Sequence, residues 1–287
     1  MLSYQHIYHA GNFADVHKHA ILARLLKTLT AKPAGFQVLD THAGRGLYDL
    51  GSEEAQRNRE FDLGATAFLN DADPLMADYI AVVKKFNPDG DLKAYPGSAV
   101  IARELMRPAD KLTCIERHPG EFAELQKALS AAPNTELLQD DGFKAMVDMV
   151  PFAGRRGLVV IDPSYEIKTE YTDLARRLQQ AWKKWPQGIF LIWYPMLEAQ
   201  GHRQFLTELR RTAVKDILVS ELRLHEPPNE RFRMYGSGIV IINPPWPPAT
   251  PEAITQHIAS KLPVKAFADV FWLDNAQIDP ETGSVRI

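Results

Sequence analysis

The sequence predicts an α/β protein with a mostly parallel sheet. Apolar runs rich in β-branched residues alternate with segments of helical period, the pattern of repeated strand–helix–strand units. Several runs end in a carboxylate with glycine close behind, as at Asp40 with Gly44 and Gly46, and at Asp141 with Gly142. The last two long runs have only the polar stretch 225–235 between them, so they are expected to pair antiparallel at one edge.

Taken in chain order, Asn12 is suited to cap a helix reaching about residue 30, with Ile21, Leu22, Leu25, Leu26 and Leu29 on its sheet-facing side. Strands are expected at residues 36–40, 111–116, 135–139, 157–162, 187–193, 215–222 and 236–242, with helices between most of them. About 70 residues separate the first two strands, far more than a crossover needs. Residues 49–94 are therefore expected to form a helical insertion, and an acidic one, with ten Asp or Glu against five Lys or Arg between Asp49 and Lys93. The proline-rich stretch 243–251 reads as a turn into a C-terminal helix and a final strand.

Composition limits the function classes. A chain of 287 residues, 45 % of them apolar, fills one large domain or a domain with an insertion. The single cysteine, Cys114, excludes an internal disulfide and a cysteine-built zinc site, and fits a reducing, cytoplasmic setting. Residues 1–20 lack the apolar run of a signal peptide, and no stretch approaches the roughly 18 apolar residues of a membrane span, so no membrane partner is expected. A net charge of −3 directs any nucleic-acid partner to a local patch. Two candidate patches are Lys18, Arg24, Lys27 and Lys32, and Arg203, Arg210, Arg211 and Lys215; solvated helix faces account for either one equally well.

The chemistry gathers at strand ends. Gly44 and Gly46 after Asp40 let backbone approach a nucleotide-like ligand, although two such glycines also suit a plain turn and the spacing is not G-x-G-x-x-G. Glu116 can accept the two hydroxyls of a ribose, and Asp141, with Gly142 keeping the turn open, the amino group of an adenine; helix capping or a solvated loop would also explain each carboxylate. The fourth strand delivers Asp162-Pro163-Ser164-Tyr165 to the same crevice. This resembles the Asp/Asn-Pro-Pro-Tyr motif of amino methyltransferases, with serine in place of the second proline. An exocyclic amine is a poor nucleophile because its lone pair is delocalised into the ring. Asp162 and the Pro163 carbonyl, each accepting one N–H, would draw nitrogen toward tetrahedral geometry, and Tyr165 would stack on an unstacked base. Asn243-Pro244-Pro245-Trp246 spells the motif better but follows the edge strands, where a turn is expected.

With these positions in place, the chain resembles the RlmJ family of bacterial 23S ribosomal RNA adenine-N6 methyltransferases over residues 1–250. The resemblance is carried by Met1-Leu2-Ser3-Tyr4-Gln5-His6, His9-Ala10-Gly11-Asn12, Ala14-Asp15-Val16, Lys18-His19, Leu39-Asp40-Thr41-His42-Ala43-Gly44, Leu50-Gly51-Ser52-Glu53, Tyr95-Pro96-Gly97-Ser98 and Trp193-Tyr194-Pro195, besides the fourth-strand motif. It implies a Rossmann-like class I S-adenosyl-L-methionine-dependent methyltransferase fold, with a seven-stranded sheet. The catalytic part would be residues 1–48 and 95–287, with 49–94 as the insertion and 1–11 as a mobile tail contacting substrate. It implies cofactor contacts at His19, His42, Ser98, Glu116, Asp141, Gly142 and Asp162, and RNA contact at Tyr4 with His6 nearby. The expected partner is 23S ribosomal RNA, naked or in an early precursor, bound by a monomer. No metal is expected, since His17 and His19 point to different helix faces. A DNA adenine-N6 methyltransferase and a catalytically weak, RNA-binding ribosome-assembly factor are the competing readings; a nicotinamide dehydrogenase fails on the glycine spacing.

Overall fold

Along the strands, successive side chains go to opposite faces of one sheet, which is why the runs are apolar throughout rather than alternating with polar residues. Val38, Leu158 and Val160 join one core, while Leu39, Val159 and Ile161 join the other. A computed structural model describes residues 4–166, 170–225 and 234–274, with backbone at Gln277–Ile278 and Val285–Arg286. Residues 1–3 of the N-terminal motif and most of the 225–235 stretch lie outside the described residues.

A 3-10 turn at His6–Tyr8 precedes α1 (Phe13–Thr30), β1 (Gln37–Asp40) and β2 (Leu47–Asp49). There follow α2 (Glu53–Asn58), α3 (Ala65–Phe68), α4 (Ala77–Lys85), β3 (Ala94–Pro96), α5 (Ser98–Leu105), β4 (Lys111–Ile115) and α6 (Pro119–Leu129). The rest is β5 (Thr135–Leu138), α7 (Gly142–Asp148), β6 (Gly157–Ile161), α8 (Glu170–Lys184), β7 (Ile189–Leu197), α9 (Gly201–Arg210), β8 (Ile217–Leu224), β9 (Met234–Ile242), α10 (Ala249–Lys261) and β10 (Ala266–Trp272). The main sheet runs β10-β8-β9-β7-β6-β1-β4-β5. Its five strands from β5 to β7 are parallel. The three beyond are antiparallel.

The sheet therefore has eight strands where seven were expected. β8 and β9 pair antiparallel as anticipated, but β10 adds to β8 and takes the edge. β10 is the final strand expected after the C-terminal helix, apolar at six of its seven positions, and the seven-stranded expectation did not include it in the main sheet. β7 also runs on to Leu197, because past Ile192 its partner is β9 rather than a parallel neighbour, which places Trp193-Tyr194-Pro195 inside a strand. The segment between β2 and β3 carries α2, α3 and α4, and the antiparallel β2–β3 ribbon draws its two ends together.

Asn12 caps α1, its side chain accepting from the Asp15 N–H at 2.9 Å. The predicted leucine and isoleucine face is buried against the sheet. The other side is covered by α4 and α5, so every residue from Phe13 to Ala23 is buried, Lys18 included. That corrects the solvated reading of Lys18, whereas Arg24, Lys27 and Lys32 do reach solvent. Among the described residues no helix is long and apolar enough to cross a membrane.

Candidate active site

The parallel strands chain outward from β1 to β4 and β5, then restart on its other side at β6 and β7. The switch falls between β1 and β6, and an open α/β sheet parts there to leave a crevice outside its carboxyl ends. A cavity of about 140 Å³ occupies it. β1 contributes Thr41, His42 and Gly44, β4 contributes Glu116, β5 contributes Asp141 and Gly142, and β6 contributes Asp162 and Pro163. Ser98 opens α5 beside them, His19 reaches in from α1, and Tyr4 and His6 close the top. Two glycines are dictated by the crowding. Gly44 has φ +59°, and a Cβ there would sit 2.3 Å from the Tyr48 hydroxyl; a Cβ on Gly142 would sit 1.9 Å from the Thr41 carbonyl.

A second cavity of about 260 Å³ adjoins the first and shares Tyr4, His6, Lys18, Asp162 and Ser164 with it. The rest of its lining joins the apolar Ala14, Trp193, Pro195, Leu197 and Met234 to the polar His9, Asn12, Asp15 and Glu60. Asp162 thus stands at the junction of a polar cavity and a more apolar one.

A chain of charges runs to that junction. Tyr4 Oη lies 2.8 Å from His6 Nδ1, and His6 Nε2 lies 2.8 Å from Asp15 Oδ2. Asp15 Oδ1 accepts from Lys18 Nζ at 3.0 Å, and the same ammonium donates to Asp162. Burial works against the Lys18 charge, but Asp15 and Asp162 outweigh it and hold its pKa above the ordinary lysine value. Burial likewise opposes the Asp15 charge, yet His6 and Lys18 hold its carboxyl well below the usual range. On the cofactor side, burial pushes His42 down to about 4 and His19 well below its ordinary value, so both imidazoles are neutral. Burial raises Glu116 above its usual range although its carboxylate accepts the N–H groups of Gly44 at 2.9 Å and His118 at 2.6 Å.

All the residues singled out as cofactor or RNA contacts thus line this cavity, together with Asp162 and Pro163. Asp141 does double service, since one carboxylate oxygen caps α7 through the Lys144 N–H at 2.9 Å. Tyr165 is the exception. Its φ of +55° turns the ring away from the cavity into the second core, 4.5 Å between centroids from Tyr171, with its hydroxyl donating to the Trp193 carbonyl at 2.5 Å. It anchors the loop instead of facing a base, and so supplies restraint that Ser164 does not. Asn243 to Trp246 is a turn, as expected. β9 runs antiparallel to β7, which carries its terminus to the end of the strands opposite the crevice, where Asn243 Nδ2 donates to the Pro186 and Gly188 carbonyls at 2.7 Å each. Lys18 and Trp193 are site residues that the sequence reading did not assign. Burial of α1 on every side as far as Ala23 would have pointed to Lys18, and period-two alternation of Trp193, Pro195 and Leu197 to the apolar wall. His17 and His19 diverge, His17 Nδ1 to Ser237 at 3.0 Å and His19 Nδ1 to Tyr95 at 2.8 Å.

The cavity suits S-adenosyl-L-methionine. His19, which lines the cavity, leaves its buried Nε2 without a protein partner, an open position that a ligand can fill. Asp40, Glu116, Asp141 and Asp162 make the surroundings acidic, matching a sulfonium and an ammonium. Asp40 also carries a testable cost. Burial lifts its pKa to about 6 despite hydrogen bonds from Ser98 and the His42 N–H. A folded value above the unfolded one means that stability is complete below about pH 4 and falls as pH rises to about 6. Asp40→Asn should therefore stabilise the ligand-free protein by about 1–3 kcal/mol at pH 7.5 and leave it unchanged near pH 4. Thermal melts at the two pH values check this; an equal gain at both would contradict it.

The family model described as ribosomal RNA large subunit methyltransferase D, RlmJ, matches residues 33–273. The chain is 37% identical to the ribosomal RNA large subunit methyltransferase J of Escherichia coli (strain K12), covering 100% of this chain and 98% of that protein. It is 38% identical to the protein of the same name from Haemophilus influenzae, covering 86% and 88%. A crystal structure from Legionella pneumophila str. Philadelphia 1 superposes with a TM-score of 0.85 at 33% identity, covering 92% of this chain and 98% of that one. The chain belongs to the RlmJ family of ribosomal RNA large subunit methyltransferases.

Proposed function

We propose that the chain methylates the N6 amino group of an adenine in 23S ribosomal RNA. The observation that carries this reading is the position of Asp162, whose carboxylate faces both cavities: the polar one for the cofactor and the apolar-walled one for a base. S-adenosyl-L-methionine supplies an electrophilic methyl group on a sulfonium sulfur. The Asp162 carboxylate accepts one N–H of the amine and the Pro163 carbonyl the other, freeing the nitrogen lone pair. Lys18 fixes the carboxylate from behind, and Asp162 takes the leaving proton or passes it to water. Holding the reacting atoms in line in a dry site is worth up to roughly 7–11 kcal/mol in favourable systems.

His19, His42, Gly44, Ser98, Glu116, Asp141 and Gly142 hold the cofactor. Tyr4 and His6 meet the RNA from the N-terminal tail, whose described part is packed rather than mobile, with Ile7 and Ala10 buried, on a catalytic unit of residues 1–48 and 95–287. Residues 49–94 form an inserted subdomain, and Glu60 within it joins that tail, accepting from Asn12 Nδ2 at 3.1 Å and lying 2.7 Å from His9 Nδ1. The enzyme works as a cytoplasmic monomer on protein-free or early precursor RNA. Tyr4→Ala should reduce RNA methylation at least about tenfold more than it weakens cofactor binding, because the proposed contact is with the base side; calorimetry beside a methylation assay measures both, and an equal loss would contradict the assignment.

The reading is tested by labelled methyl transfer to protein-free 23S RNA, assembled large subunits and duplex DNA. Transfer to the free RNA is expected. Transfer to DNA alone would overturn it, and no transfer to any acceptor would favour a binding factor.

A further inference from the structure

The motif Trp193-Tyr194-Pro195 is used by neither the cofactor cavity nor the Asp162 chemistry. Alternation along β7 puts Trp193, Pro195 and Leu197 on the wall of the 260 Å³ cavity, with Met234 paired opposite Leu197, while Tyr194 is fully buried. The Trp193 backbone is tied by the Tyr165 hydroxyl, and Lys18 Nζ lies 5.7 Å from the indole centroid.

The indole is also held from behind. Trp193 Nε1–H donates to Ser237 Oγ at 3.0 Å, and Ser237 Oγ lies 3.0 Å from His17 Nδ1. His17 Nε2 lies 3.2 Å from Ser220 Oγ, Ser220 Oγ lies 2.7 Å from Thr255 Oγ1, and Thr255 donates to the Pro251 carbonyl at 2.7 Å. His17, Ser220, Ser237 and Thr255 are all fully buried. A carbonyl only accepts and a hydroxyl has one proton, so Thr255 donates to Pro251, Ser220 to Thr255 and His17 Nε2–H to Ser220, and on a ring kept neutral by burial Nδ1 is then the acceptor. Ser237 must donate to His17 Nδ1, and His17 must be the neutral Nε2–H tautomer donating to Ser220. Burial, which pushes the His17 pKa down to about 3, agrees with a permanently neutral ring.

We propose that Trp193 is the aromatic wall on which the target adenine rests, and that the chain from Ser237 through His17 to Thr255 is a positioning device that fixes the plane of its ring. The inference rests on the adenine reading above and adds which side chain meets the base. With Tyr165 turned into the core, Trp193 is the tryptophan that faces the cavity beside Asp162, and a purine face stacks well on an indole.

The test uses the full chain and protein-free 23S RNA transcript, with melting temperature as the folding control. Trp193→Ala should raise KM for RNA about 10- to 100-fold with the cofactor Kd unchanged. Trp193→Phe, which keeps a ring and loses the donor, should fall between that variant and wild type. Ser237→Ala should lower kcat/KM about tenfold in the wild-type background and less than about twofold in the Trp193→Phe background, because the bond it breaks is already gone. Equal losses in both backgrounds would overturn the positioning role, as would nitrogen chemical shifts showing His17 protonated at Nδ1 in the wild type. An unchanged KM in Trp193→Ala would overturn the wall while RNA methylation by the wild type left the adenine reading intact. Failure of the wild type to methylate the RNA would instead strike that reading itself.

Discussion

Asp162→Ala should lower the single-turnover rate of methyl transfer by roughly 10²–10⁴-fold, the range for loss of a positioned proton acceptor. The residue sits at the end of β6, outside both cores, so the fold should survive. Lys18 keeps Asp15 as a partner at 3.0 Å, and the stability cost should stay near about 1–3 kcal/mol, that of an unmade buried hydrogen bond. Asp162→Asn retains one acceptor oxygen but not the charge, and should fall between the wild type and the alanine variant. Rapid-quench measurement with labelled cofactor checks the series; wild-type turnover in Asp162→Ala would refute the assigned role.

Lys18→Met should have the largest effect on stability. It takes the cation from between Asp15, which is buried, and Asp162, which is partly so, and breaking such a buried pair costs about 3–5 kcal/mol. The pH dependence has a defined sign. The folded pKa of Asp15 is depressed, so its stabilising contribution is present above the unfolded value near pH 4 and is lost as pH falls through the folded one. The gap between wild type and Lys18→Met should therefore be full at pH 7 and close as the solution is acidified below about pH 4. Denaturant titrations at several pH values measure it, and a constant gap would contradict the ion-pair account.

Much of this site was legible because an α/β sheet binds at the carboxyl ends of its strands. Asp40, Glu116, Asp141 and Asp162 each end an apolar run, and their common crevice follows from strand order alone. Lys18 was not legible. A lysine in a helix reads as solvated unless the helix is known to be buried all round, and α1 is buried because α4 and α5, contributed by distant sequence, cover its outer side. Trp193 was hidden for a similar reason: the strand that carries it outruns its parallel neighbour and is completed by β9. The motif spelling placed Tyr165 on the base, but its positive φ turns it inward, a backbone property that a four-letter match does not encode. β10 was legible as a final strand, but nothing in its apolar run says that it pairs with β8 and extends the main sheet to eight strands.

The most direct measurement is nucleoside mass spectrometry of protein-free 23S RNA after incubation with the enzyme and labelled S-adenosyl-L-methionine. The account predicts that the label appears as N6-methyladenosine, and that it disappears with Asp162→Ala. Label on a ribose oxygen, on a ring carbon or on another base would contradict it.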